Sequence, residues 1–269
     1  MESTKELEKL VNGLRIIDDS LFRLVASDPL ACQEILRVLL DDDNLEVKKV
    51  TTQKMLVNLQ REVILDALCI LGDGTLCNIE VQKGDGNDDI RRVRFHTSAV
   101  TMNNTPKGTN FSNIPSVKVL YITEYDVFGN EQSITKLTRC VRQGETYVPV
   151  NDGEDIIFDN AAIRDGSRAS ELLELFLKTD EIHDERFPRL CEGFNRYKKA
   201  KGGKIAMCNA VQEYAEKYAE KYAEEKNAEL LIEISIESGL TKEETLERLQ
   251  KKLEISASKA EEYWKKYNN

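Results

Sequence analysis

The chain has 269 residues, 41% hydrophobic and 32% charged, enough for one large domain with a sizeable core plus a smaller one. A net charge of −10 excludes a general basic coat for nucleic acid, though not a local basic groove. The six cysteines form no C-x-x-C, no apolar run approaches a membrane span, and Met1-Glu-Ser-Thr-Lys-Glu is no signal peptide, so the expected setting is reduced, cytoplasmic and without a membrane.

Residues 1–12 read as a charged, fraying helix. Asp18 or Asp19 caps a short helix carrying Leu21, Phe22, Leu24 and Val25. Asp28-Pro29 opens the next helix, with proline in the first turn and an apolar stripe of Ala31, Ile35, Val38 and Leu39, widened by Leu36 and Leu40. Residues 47–57 lead into a sheet, and 58–62 into a hairpin over Val63–Gln82.

Two apolar runs flank Gly72-Asp73-Gly74 there. With Leu71 facing Thr75, Asp66 lies opposite Glu80 and Ile64 opposite Gln82, and side-chain alternation puts these four on one face. The other face, Val63, Leu65, Ala67, Cys69, Leu71, Cys77, Ile79 and Val81, is wholly apolar and should be core. Cys69 and Cys77 become cross-strand partners, read as a small apolar pair rather than a disulfide. Opposed Cβ atoms are roughly 4.5–5.5 Å apart, so Asp66 and Glu80 repel unless a proton or cation lies between them; a shared divalent metal is the simplest resolution. A two-residue loop would instead put them on opposite faces.

Asp85-x-Asn87-x-Asp89 fails as a calcium loop, because Ile90 stands where glycine is required. Asp88 or Asp89 caps a helix from Ile90, with Ile90, Val93, Ala99 and Val100 toward the sheet and Phe95 toward one flank. Arg91, Arg92 and Arg94 form the densest arginine cluster in the chain. They either contact phosphates or form a solvated face that neutralises Asp85, Asp88 and Asp89. A polar loop over 103–115 precedes a buried strand over 117–123. Strands over 134–142 and 145–150 pair around Gly144, a further strand covers 156–158, and a helix covers 170–177. From Lys204 the chain turns helical. Tyr-Ala-Glu-Lys recurs every four residues over 212–225, so Ala215, Ala219 and Ala223 make a small-residue stripe that drifts around the helix. It suits either a short helix pair or a solvated spacer with pairs such as Glu213–Lys217. Thr241-Lys-Glu-Glu244 is a capping box, Leu246, Leu249 and Leu253 form the next stripe, and Ser256 or Ser258 caps a last helix holding Ala260, Tyr263, Trp264 and Tyr267.

The hairpin resembles the active-site hairpin of the PD-(D/E)xK nuclease superfamily, in which an Asp and a Glu-x-Lys hold the catalytic metal; Gln82 stands at the Lys position. Asp18-Asp-Ser-Leu-Phe22, Asp66, Glu80-x-Gln82, Arg91-Arg-Val-Arg-Phe95, Tyr125-Asp-Val-Phe-Gly129, Val148-Pro-Val-Asn-Asp-Gly153, Ile156-Ile-Phe158 and Glu171-Leu-Leu-Glu174 follow in that order. The order is similar to bacterial PD-(D/E)xK nuclease family transposases, relatives of recombination-promoting nucleases, over residues 17–200. Members of that branch often carry Gln at the Lys position. The resemblance implies an α/β, restriction-endonuclease-like core of mixed sheet and flanking helices over 1–203, with an all-α extension over 204–269. It also implies a DNA endonuclease of mobile elements, in which Mg²⁺ or Mn²⁺ is held by Asp66, Glu80, the Val81 carbonyl and, by order along the chain, Glu34 on the helix before the sheet. Gln82 would orient the water without supplying charge, and Arg91, Arg92 and Arg94 would place phosphates; the C-terminal helices, whose task the resemblance does not give, offer a homo-oligomer contact through the small-residue stripe. The competing class is a catalytically silent binding or assembly module on the same fold.

Overall fold

The computed structural model describes residues 11–56, 63–84, 89–199 and 201–268. The expected helix over 1–12 falls outside that set except for Val11 and Asn12, which are helical; the 58–62 lead-in, Asp85 and Asp88 also fall outside it. The chain divides into two compact units, Met1–Ala210 and Val211–Asn269. Among the described residues no helix is long and apolar enough to cross a membrane.

The first unit is mixed α/β. Helices α1 (Asp19–Ala26) and α2 (Pro29–Leu39) precede strands β1 (Val47–Leu56), β2 (Val63–Leu71) and β3 (Leu76–Gln82). Helix α3 (Asp89–Asn103), strand β4 (Val117–Thr123), strands β5 (Ile134–Leu137), β6 (Cys140–Gln143), β7 (Thr146–Pro149) and β8 (Glu154–Asn160), and helices α4 (Arg168–Leu175) and α5 (Pro188–Lys199) follow. Six strands form one sheet in the order β1-β2-β3-β4-β8-β5. The β3-β4 and β4-β8 pairs are parallel and the others antiparallel. The expected pairing around Gly144 forms, but as a separate two-stranded ribbon, β6-β7, exposed along its whole length. The segment expected as one strand over 134–142 is thus split between the main sheet and this ribbon.

Local sequence accounts for most of these elements. Asp28 accepts the Leu30 N–H at 2.9 Å and Pro29 takes the first helical position, where its missing N–H costs nothing. The α2 stripe, Ala31, Ile35, Leu36, Val38 and Leu39, is buried as expected. Hairpin pairs Ala67↔Ile79, Leu68↔Asn78, Cys69↔Cys77 and Ile70↔Leu76 are in the expected register, and Gly74 supplies the left-handed residue of the turn at φ 90°. Every member of the predicted apolar face is buried, and Cys32 on α2 packs its thiol against Cys69. The opposite face is covered too. On it Leu68, Leu76, Val117, Val119, Tyr121, Ile156 and Phe158 pack with Val93, Ala99 and Val100 of α3.

Helix α3 buries Val93, Ala99 and Val100 as expected and differs from expectation only at its start. Asp89 lies inside the first turn, buried, and accepts the hydroxyls of Tyr121 at 2.8 Å and Tyr125 at 3.0 Å. With Asp89 anchored, the inward residues are Asp89, Val93, Thr97, Ala99 and Val100. Ile90, about 100° further round, is left 47% exposed instead of facing the sheet, and Phe95 is 40% exposed.

The second unit is helical. Helix α6 (Lys201–Glu237) is the repeat helix, followed by α7 (Lys242–Leu253) and α8 (Ala257–Tyr267). The unit boundary lies seven residues past the expected 203/204, because Met207 and Ala210 are buried in the first unit and the Arg23 guanidinium donates to the Ala210 carbonyl. Ala228, Ile232, Leu249, Ala260 and Tyr263 form the core, with Leu246, Leu253, Trp264 and Tyr267 partly buried against it. Thr241 and Glu244 make the capping box, and Ser256 is the cap of α8. Ala215, Ala219 and Ala223 are exposed; the Glu213–Lys217 pair, Tyr214 and Tyr218 lie outside the described side chains.

Candidate functional site: an acidic gap at the end of β3

The β2-β3 ladder is recorded from Ile70↔Leu76 to Ala67↔Ile79. One step further the same register sets Asp66 opposite Glu80. There the half-buried Asp66 carboxylate, not the strand backbone, accepts the Val81 N–H at 2.9 Å. The N–H and C=O of one strand residue point to the same side, so the Val81 carbonyl faces this gap as well. It lies toward the carboxyl ends of parallel β3 and β4, the end of an open sheet that commonly receives ligands.

A third acid enters from α1. The Asp19 carboxyl is hydrogen-bonded to Asp66 and accepts Gln53 Nε2 at 3.1 Å. Gln53 lies opposite Asp66 by the β1-β2 register, between Thr52↔Ala67 and Lys54↔Leu65. Its backbone is left-handed, φ 51°, a strained geometry for glutamine that the contact to Asp19 accompanies. Burial pushes the Asp66 carboxyl well above the usual carboxylate range, and the charges of Glu80 and Asp19 push it the same way against the opposing pull of the Val81 N–H. Asp19 is raised as well, chiefly by burial, with the Asp66 hydrogen bond, Arg23 and Gln53 opposing. A proton shared between Asp19 and Asp66 resolves the repulsion.

Glu80 is 7% exposed. Its Oε1 accepts Asn78 Nδ2 at 2.7 Å and stands 3.4 Å from Nδ1 of His96, a nitrogen buried without a hydrogen-bond partner among the described residues. Gln82 accepts Arg92 on Oε1 at 2.9 Å and donates Nε2 to the Lys83 carbonyl at 3.2 Å. Arg91 and Arg94 are exposed elsewhere on α3, so the helix divides the arginine cluster.

Glu34 belongs to a different part of the molecule. Its Oε2 accepts the Leu190 N–H at 2.7 Å, one of the open donors at the start of α5. Burial raises its pKa, and the Leu190 and Arg189 N–H groups oppose. The acid that a helix does bring to the hairpin is Asp19, which the sequence marked only as a cap candidate. Its sole signal was the pair Asp18-Asp19, of which Asp18 serves the local loop, accepting the Arg15 N–H at 2.7 Å. His96 carried no signal beyond standing four residues after Arg92.

As placed, no three His, Cys, Asp or Glu side chains among the described residues surround one point as metal ligands. Asp19 and Asp66 meet each other, and Glu80 Oε1 meets Asn78 and His96. The donor chemistry nevertheless fits a hard divalent cation: the carboxylates of Asp19, Asp66 and Glu80 and a carbonyl, with Asp19 and Asp66 raised in pKa by burial and neighbouring negative charge that a cation would relieve. No family model, no curated protein and no solved structure matches this chain. What the fold and the site define is a class: a mixed α/β protein with acids gathered at the end of a six-stranded sheet.

Proposed function

We propose that the protein is a divalent-metal-dependent DNA endonuclease with a restriction-endonuclease-like core, of the mobile-element branch its sequence resembles. The observation that carries this reading is the Asp19–Asp66 pair, with the charge of Glu80 near it, where the recorded β2-β3 ladder ends. Asp66, Glu80, the Val81 carbonyl and Asp19 would hold Mg²⁺ or Mn²⁺. When bound, the metal lowers the pKa of its water and offsets charge on the phosphoryl group under attack. Asp19 and Asp66 would bind the cation as carboxylates, and Asn78 fixes one oxygen of Glu80. Gln82 orients by hydrogen bonding alone. Arg91 and Arg94, exposed on α3, offer phosphate contacts that position without reading sequence.

The second reading, a silent binding or assembly module, is favoured by the closed Asp19–Asp66 pair. Plasmid nicking in Mn²⁺ separates the two: cleavage by wild type, lost in Asp66→Ala with folding retained, is expected of the nuclease. A wild type that never nicks, or an Asp66→Ala protein as active as wild type, overturns it.

A further inference from the structure

The resembled family's cationic position holds neutral Gln82, but the neighbourhood of Gln82 is not neutral. Arg92 on α3 places a guanidinium hydrogen on Gln82 Oε1 at 2.9 Å. The contact follows from a match of two pitches. Four residues of helix rise about 6 Å. Two residues of strand rise about 6.6 Å. Arg92 and His96 on α3 therefore stand above Gln82 and Glu80 on β3 as two successive contacts. Asp89, three residues before Arg92 on the same helix, is engaged by two tyrosine hydroxyls.

From this arrangement we infer that Arg92 supplies the positive charge at the Gln82 position of the site, with Gln82 as the positioning residue that holds its guanidinium there. The inference rests on the nuclease reading and deepens it. Guanidinium carries five N–H donors in a planar fork, so one edge bonds Gln82 while the other meets two oxygens of a phosphate. The charge that a lysine at position 82 would deliver from the strand is delivered from the facing helix. Substrate then enters between α3 and the end of β3, and the phosphate to be cleaved touches Arg92.

A charge-relocation experiment tests this on the full chain, using wild type, Arg92→Ala, Gln82→Lys and the double variant. Two readouts are taken: plasmid nicking in Mn²⁺, and the salt dependence of duplex binding in Ca²⁺. Arg92→Ala is expected to slow nicking at least tenfold and to flatten the log-affinity against log-salt slope by about 0.9, the loss of one phosphate contact. Lysine at 82 should restore both in the Arg92→Ala background. Arg92 is exposed, so thermal melting of the variant should match wild type. If Arg92→Ala keeps the wild-type rate and slope, or lysine at 82 rescues neither, this inference falls while the nuclease reading stands. If wild type neither nicks nor binds duplex, both fall together.

Discussion

The carboxyl groups of Asp19 and Asp66, one on a helix and one on the strand below it, are joined by a hydrogen bond, and Glu80 stands near enough to raise both. Three acids in one partly buried gap are a standing source of strain, and their substitution has a calculable sign.

Asp66→Asn should stabilise the metal-free protein at pH 7 by on the order of 1 kcal/mol. Asparagine reproduces the protonated acid: its oxygen accepts the Val81 N–H and its amide donates to Asp19. Chemical denaturation without divalent metal checks this; a destabilised variant would mean Asp66 is ionised in the folded state. Mn²⁺ should raise the melting temperature of wild type and leave Asp66→Asn unmoved.

The pH dependence follows from the raised Asp66 and Asp19. A carboxyl with a folded pKa above its unfolded value near 4 keeps its proton longer in the folded state. Metal-free stability from this pair is therefore full below pH ~4 and falls as pH rises toward the folded values. Metal binding runs the other way, because protons compete with the ion, so affinity should strengthen as pH rises through the same window. Calorimetric titration of Mn²⁺ at several pH values tests it, and an affinity that ignores pH would remove the acids from the site.

Glu34→Ala should cost about 1 kcal/mol of stability, through loss of the acceptor at the start of α5, without changing the rate of nicking. A loss of nicking with unchanged melting would return Glu34 to the metal.

Gly193→Ala should stabilise the first unit by about 0.5–1 kcal/mol. The residue lies inside α5, and an added methyl would meet Val25 Cγ1 at 3.4 Å and Ala31 Cβ at 3.9 Å, ordinary contact distances. Urea denaturation reads the change; a destabilised variant would show that α1 and α2 cannot admit the methyl.

The hairpin was legible because alternation and the Gly72-Asp73-Gly74 turn fix a strand register locally. That register alone brings Asp66 to Glu80. Asp19 was not legible, since only the packing of α1 over the sheet delivers it, and nothing near it in sequence says so. Glu34 was placed by order along the chain, and order does not tell which side of a helix faces which neighbour. Its carboxylate turned to α5, a helix whose first turn offered unpaired donors. The first turn of α3 misled for a similar reason: buried Asp89, held by Tyr121 and Tyr125, takes the inward position expected of Ile90, while Val93, Ala99 and Val100 face inward as expected. The single Gln82–Arg92 contact depends on two elements joined through residues 83–88, and no local pattern encodes it.

The β6-β7 ribbon is exposed along both strands and, among the described residues, pairs only with itself, and a lone two-stranded ribbon is marginal in water. Its amides therefore report on local opening rather than on loss of the main sheet. In a hydrogen-exchange experiment the protein should keep two clocks: deuterium reaches Cys140–Pro149 early, whereas the amides of β3 and β4, buried under helices on both faces, wait for the cooperative opening of the whole sheet. A stabilising substitution at Gly193 would slow the second clock and leave the first unchanged.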